Sequence, residues 1–196
     1  SIEGQEEDDQ WTGVDTLGCG VAVRWCDGEL LPADTSEPVS VYYPTVDSTG
    51  LQFRFHADFL VDGSRSSIRY RGLQQEIKEP IIEQIAIMTA ELCDAIVAKG
   101  GRSSAWSLLG FLGRSFELSN PSIGLGQRLF DAVVERLKRL EIVPVVGGGL
   151  RTAGETRMPD GITLDGYKTL IEETPIRSKS QFVYPSTQKW SREVNG

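Results

Sequence analysis

Arg65 stands between Ser64 and Ser66 in the stretch 62 to 68, DGSRSSI. A guanidinium flanked by small hydroxyl residues is suited to meeting an anion, and arginine is the usual clamp on a γ-phosphate held in someone else's pocket. Ser64 is a helix-capping residue type. The spacing therefore predicts a helix that starts here, with Arg65 beside free backbone N–H groups. Upstream, Arg54, His56 and Asp58 recur at alternate positions, which puts them on one face of a strand. One histidine and one carboxylate at that spacing suit general-base chemistry. A polar face that is hydrogen-bonded or covered by another domain is the commoner use of such a pair.

Other chemistry-bearing patterns are weaker. Asp15-Thr-Leu-Gly18-Cys-Gly20 resembles a D-x-G-x-G nucleotide box but carries one residue too many, and it reads better as a strand. The glycines at 147 to 149 lack the G-K-[ST] ending of a phosphate loop and the spacing of a dinucleotide fingerprint. No serine sits in a G-x-S-x-G elbow. The three cysteines, Cys19, Cys26 and Cys93, lack paired metal spacing and point to a reducing compartment, so a cytoplasmic location is expected.

The elements that must position these residues follow from periodicity. Leu51, Phe53, Phe55, Ala57 and Phe59 alternate with Gln52, Arg54, His56 and Asp58, the pattern of a half-buried strand. Val39, Val41 and Tyr43 alternate before it, and Pro44 with Ser48-Thr49-Gly50 supplies turn residues. Leu17 to Trp25 makes an earlier strand whose other face is thin (Gly18, Gly20, Ala22), a pattern that marks close approach by another element. Short loops join the three, so an antiparallel three-strand meander is expected. Pro80 fits the first turn of a long helix with a stripe through Ile81, Ile82, Ile85, Met88, Leu92 and Ile96, ended by Gly100-Gly101. Glu83, Glu91 and Asp94 fall off that stripe and read as a solvated face. Further helices are expected over 104 to 112, 126 to 140 and 163 to 173, with short strands at 142 to 146 and 182 to 185.

With 196 residues, 39% hydrophobic and 24% charged, the chain has the composition of a soluble globular protein. No apolar run approaches the roughly 20 residues of a membrane span. A net charge of −8 argues against nucleic-acid binding, which leans on a basic field. Part of that charge comes from Glu3, Glu6, Glu7, Asp8 and Asp9. Residues 1–14 thus read as an acidic linker or docking segment, 15–146 as a sheet-plus-helix domain, and 147–196 as a smaller C-terminal lobe. The fold class is α+β: a small, mainly antiparallel sheet packed by long helices.

The pattern YYPT-x4-GL-x-F-x-x-HADF-x-x-x-x-SR-x-x-I, followed by EPIIEQIAIMTAELCDAI and later EIVPVVGGGLRTAGETRMPDG, resembles the segment after the ATPase domain in sacsin-like proteins. More faintly it resembles the middle domain of the ninety-kilodalton heat-shock chaperones, both within the Bergerat-fold (GHKL) ATPases. The resemblance implies a transducer-like domain with a βαβ unit of left-handed connection. It also implies ATP and Mg²⁺ bound in a separate N-terminal ATPase domain, none held by this chain, and protein clients. In the family the turn arginine reaches the γ-phosphate, a role that falls on Arg65, with Ser64, Ser66, Arg54 and His56 as ligand-binding neighbours. The acid that follows the family arginine is Ser66 here. The rival expectation is a protein-interaction module that uses the polar strand face and the helix 81–98, with no nucleotide role.

Overall fold

A computed structural model of the chain describes residues 16–26, 29–64, 66–68, 75–146, 148–156 and 164–173. The expected acidic segment 1–14, the strand at 182 to 185, and Arg65 itself lie outside the described residues. The architecture is α+β. In chain order the elements are β1 (Cys19–Ala22), β2 (Trp25–Cys26), β3 (Glu29–Leu30), β4 (Pro38–Val41), β5 (Tyr43–Ser48), β6 (Arg54–Ala57), α1 (Gln75–Glu117), α2 (Leu125–Leu137), β7 (Val143–Pro144), β8 (Leu150–Arg151), a 3-10 turn (Ala153–Glu155) and α3 (Leu164–Glu173). Among the described residues no helix is long and apolar enough to cross a membrane.

Two compact units share the chain. The first comprises Ser1–Arg24, Pro32–Thr89 and Ser115–Val133. It contains the four-stranded sheet in the order β1-β6-β4-β5. β1 and β6 pair antiparallel, Cys19 opposite Ala57 and Val21 opposite Phe55 on the buried side, Gly20 opposite His56 and Ala22 opposite Arg54 on the other. The alternation of 51 to 59 is realised: Leu51, Phe53, Phe55, Ala57 and Phe59 are buried, while Arg54 and His56 are exposed. Gln52 departs from it; it is buried and gives its side-chain amide to the Ala33 carbonyl.

The strand order is not that of a meander. The apolar run at 39 to 43 is broken at Tyr42, whose φ of 57° reverses the chain, and 43 to 48 becomes a strand of its own. β5 pairs antiparallel with β4, and β6 then lies parallel to β4, with Ser40 opposite His56. Pro44 has no N–H to give a ladder, which suits an edge strand and not a central one. Among the described residues this parallel pair is connected through β5, and no left-handed βαβ unit is present. β5 is also turned inside out. Thr45 and Asp47 are buried, whereas Tyr43, Pro44 and Val46 face outward. Thr45 satisfies its hydroxyl on the Val39 carbonyl (2.8 Å) and accepts the Asp47 N–H (3.1 Å).

The turn after β5 is locked to the approach of α2. Ser122 donates its N–H to the Ser48 carbonyl (2.7 Å), and its hydroxyl accepts the Ser48 N–H (3.0 Å). Gly50 has φ 74°, and a Cβ there would collide with the backbone of Ser119 and Asn120.

The long helix begins at Gln75, one turn earlier than Pro80 suggests, and breaks where the glycines predict: Gly101 has φ 58° and ψ −135°. Residues 75–100 and 102–117 are thus two helical segments. Ile81, Ile82, Ile85, Ala86, Thr89, Cys93, Ile96 and Val97 form the buried stripe, and Glu83, Glu91 and Asp94 are exposed as expected. In α2, Leu129, Val133 and Leu137 are buried.

The second unit comprises Trp25–Leu31, Ala90–Arg114 and Val134–Gly196. It contains the β2–β3 and β7–β8 hairpins and a small cluster around Tyr167 and Ile171. Burial pushes the Tyr167 phenol up to about 12. Lys99 lies 5.8 Å from the ring centre of Trp25, a cation–π contact within this unit.

Candidate functional site

The turn around Arg65 is built on two carboxylates. Asp62 accepts the Ser66 N–H (2.9 Å), the Ser67 N–H (3.3 Å) and the Ser64 hydroxyl (2.7 Å), and the Ser64 and Ser66 hydroxyls meet at 2.6 Å. Asp47, buried on β5, accepts the Ile68 N–H (2.6 Å) and the Ser67 hydroxyl (3.3 Å). A backbone bond from Asp62 N–H to the Ser67 carbonyl (2.9 Å) and a bridge between Val61 and Ile68 close the loop. The Val46 N–H bonds the Ser66 carbonyl (2.8 Å), which fastens the turn to β5.

This geometry corrects the expectation of a helix start. Ser64 caps no helix; its hydroxyl goes to Asp62, and α1 begins only at Gln75. The Asp-Gly-Ser sequence forms a side-chain-closed turn in which aspartate competes for the backbone amides. The N–H groups of Ser66, Ser67 and Ile68 are therefore engaged by the chain's own carboxylates. The Ser64 hydrogen bond is the largest influence on Asp62. Slight burial pushes the carboxyl up, but the N–H groups of Ser67 and Ser66 help hold it below its ordinary value.

Arg54 and His56 lie on the exposed face of β6. His56 meets the Tyr42 ring edge-on at 6.3 Å between centroids. Asp58 accepts the Gly18 N–H at 2.6 Å, so it secures the entry to β1. Arg54 is held by Glu37 (3.1 Å), which also binds Arg24 (2.5 Å) through its other oxygen. Burial pushes the Glu37 carboxyl up, but the hydrogen bonds and charges of Arg54 and Arg24 outweigh it and leave the group below its ordinary value.

The fold therefore brings Arg54 and His56 together on one sheet face, and Ser64 and Ser66 together in one turn. Glu37, Asp47, Asp62 and Arg24 are organising residues that the sequence reading did not single out. Asp62-Gly63 carried a local signal as an aspartate-led turn. Glu37 and Asp47 gave none, because their partners are distant in sequence. Among the described residues no group of three or more histidine, cysteine or acidic side chains is placed to hold a metal ion. No family model, no curated protein and no solved structure matches the chain.

Proposed function

We propose that this chain is the coupling domain of a chaperone-like GHKL ATPase, supplying Arg65 to the terminal phosphate of ATP bound in a separate ATPase domain. The observation that supports it most is the bracing of the turn. The residues on either side of Arg65, Ser64 and Ser66, are both pinned to Asp62, and Asp47 ties the end of the turn to the sheet. A side chain that must arrive in another domain's pocket gains from such preorganisation. The amides of Ser66, Ser67 and Ile68 do not cradle a phosphate, so the chemistry rests on the guanidinium, which neutralises charge that grows during phosphoryl transfer. Sequence resemblance supplies the rest of the reading: ATP and Mg²⁺ in the partner domain, with nucleotide state relayed through docking and release.

The test is ATP turnover by the full-length protein. Arg65→Ala is expected to lower it by roughly 10³-fold or more; unchanged turnover overturns the reading. A second reading, a protein-docking module with no nucleotide role, is favoured by the outward Tyr42, Tyr43 and Val46 at the β4–β5 end of the sheet. It expects partner binding that ignores Arg65 and nucleotide.

A further inference from the structure

The ion cluster on the sheet is not self-neutralising. Glu37 is one carboxylate, 7% exposed, and it holds two guanidiniums, one on each oxygen. Arg24 and Arg54 keep 55% and 60% of their side chains exposed, so their donors face solvent while their positions are fixed from below. A guanidinium carries five N–H donors in a planar fork, and a single oxygen occupies few of them. The three side chains together carry +1 in a chain whose total is −8, and Asp58, just past β6 on the same side, is the nearest compensating carboxylate along that strand.

The ground beside the pair is open. Ala22 lies directly across from Arg54 and is exposed, and Gly20 lies across from His56 with nothing within 4 Å of where a Cβ would stand. His56 follows Arg54 by two residues on the same face, about 7 Å along the strand. Asp58, the next residue on that side, has an oxygen bonded to the Gly18 N–H.

We infer that Arg24 and Arg54, aligned by Glu37 and joined by His56, form a binding site for a phosphate dianion above the small residues of β1. Two guanidiniums held side by side repel each other, and the buried carboxylate beneath them offsets that repulsion before any ligand arrives. A phosphate has enough oxygens to accept from both forks and from the imidazole. A carboxylate would only repeat what Glu37 already provides. The site does not depend on the Arg65 reading and stands even if Arg65→Ala leaves ATP turnover unchanged.

The experiment is a titration of the isotope-labelled chain with inorganic phosphate at constant ionic strength, followed by backbone amide and arginine side-chain NMR signals. Signals at 20 to 24 and 54 to 56 are expected to shift saturably, while acetate leaves them in place. Arg24→Ala and Arg54→Ala should each weaken binding about tenfold, whereas Arg128→Ala, which removes an exposed arginine elsewhere in the same unit, should not. If an alanine variant fails to fold, Arg54→Lys keeps the charge but loses the fork and should still bind several-fold more weakly. Glu37→Gln tests positioning by sign. Removing a negative charge beside an anion should strengthen binding by electrostatics alone, and a purely structural role would change only thermal stability. Positioning predicts weaker binding. ATP without divalent metal ranks the source: tighter binding than inorganic phosphate indicates a nucleotide-borne group, equal binding free phosphate. Absence of saturable shifts, equal response to acetate, equal loss in Arg128→Ala, unchanged affinity in Arg54→Lys, or undiminished binding by Glu37→Gln overturns the proposal.

Discussion

Ile68 donates its backbone N–H to Asp47 across 21 positions of sequence, at 2.6 Å. The end of a serine-rich turn is thereby fixed to the inward side of an edge strand. Replacing Asp47 with alanine leaves a buried amide unpaired, which costs about 1–3 kcal/mol. Chemical denaturation of Asp47→Ala should show that loss, together with faster hydrogen exchange at Ile68. An unchanged midpoint with unchanged protection would mean that the bond does not hold the turn.

Acid should loosen the β4–β6 region through Glu37. Its carboxyl titrates lower in the folded chain than in the unfolded one. The group therefore favours folding fully above the unfolded-state value of about 4.3, and the contribution disappears as pH falls through the lower folded value. A Glu37→Gln variant should give a flatter stability curve between about pH 5 and pH 3. A curve as steep as the parent's would contradict the assignment.

Gly50 should tolerate no side chain. An alanine there meets both a left-handed backbone conformation and the backbone of Ser119 and Asn120. The expected destabilisation of Gly50→Ala is about 2 kcal/mol or more. Thermal unfolding of Gly50→Ala checks this, with Gly20→Ala as a mild comparison, since Gly20 has open space around it.

Thiol reactivity should separate the three cysteines. Cys93 is buried, and that burial, with Asp94 adding to it, pushes its thiol up to about 12. Cys19 is raised by burial and then by Asp58. Cys26 is exposed. Only the thiolate reacts, so a maleimide at neutral pH should label Cys26 first and Cys93 last in peptide mapping of the native protein. Early modification of Cys93 would show that its helix opens readily.

The sequence disclosed what is local and periodic. The stripe from Ile81 to Val97, its break at Gly100-Gly101 and the buried side of α2 repeat every three to four residues and need no knowledge of distant chain. The strand 54 to 57 was legible for the same reason. The β4–β5 reversal was not, because a positive φ at Tyr42 inside a run of β-formers leaves no local mark. Nor was the parallel neighbour of β6, which depends on tertiary pairing. At the candidate site the exposed Arg54 and His56 could be read from alternation. Glu37, which holds Arg54 and Arg24, could not, since it meets them 17 and 13 positions away.

The outer border of β5 has one more consequence. Donors on alternate residues of a strand point the same way. Pro44 has none, Val46 gives its own to Ser66, and Ser48 gives its own to Ser122. A stray β-segment in a crowded solution therefore finds none of these three positions offering it a donor, despite 83% and 72% exposure of Tyr42 and Val46. The border is thereby poor in donors for amyloid-like stacking, and a molecule that settles there meets rings and methyl groups before it meets any backbone N–H.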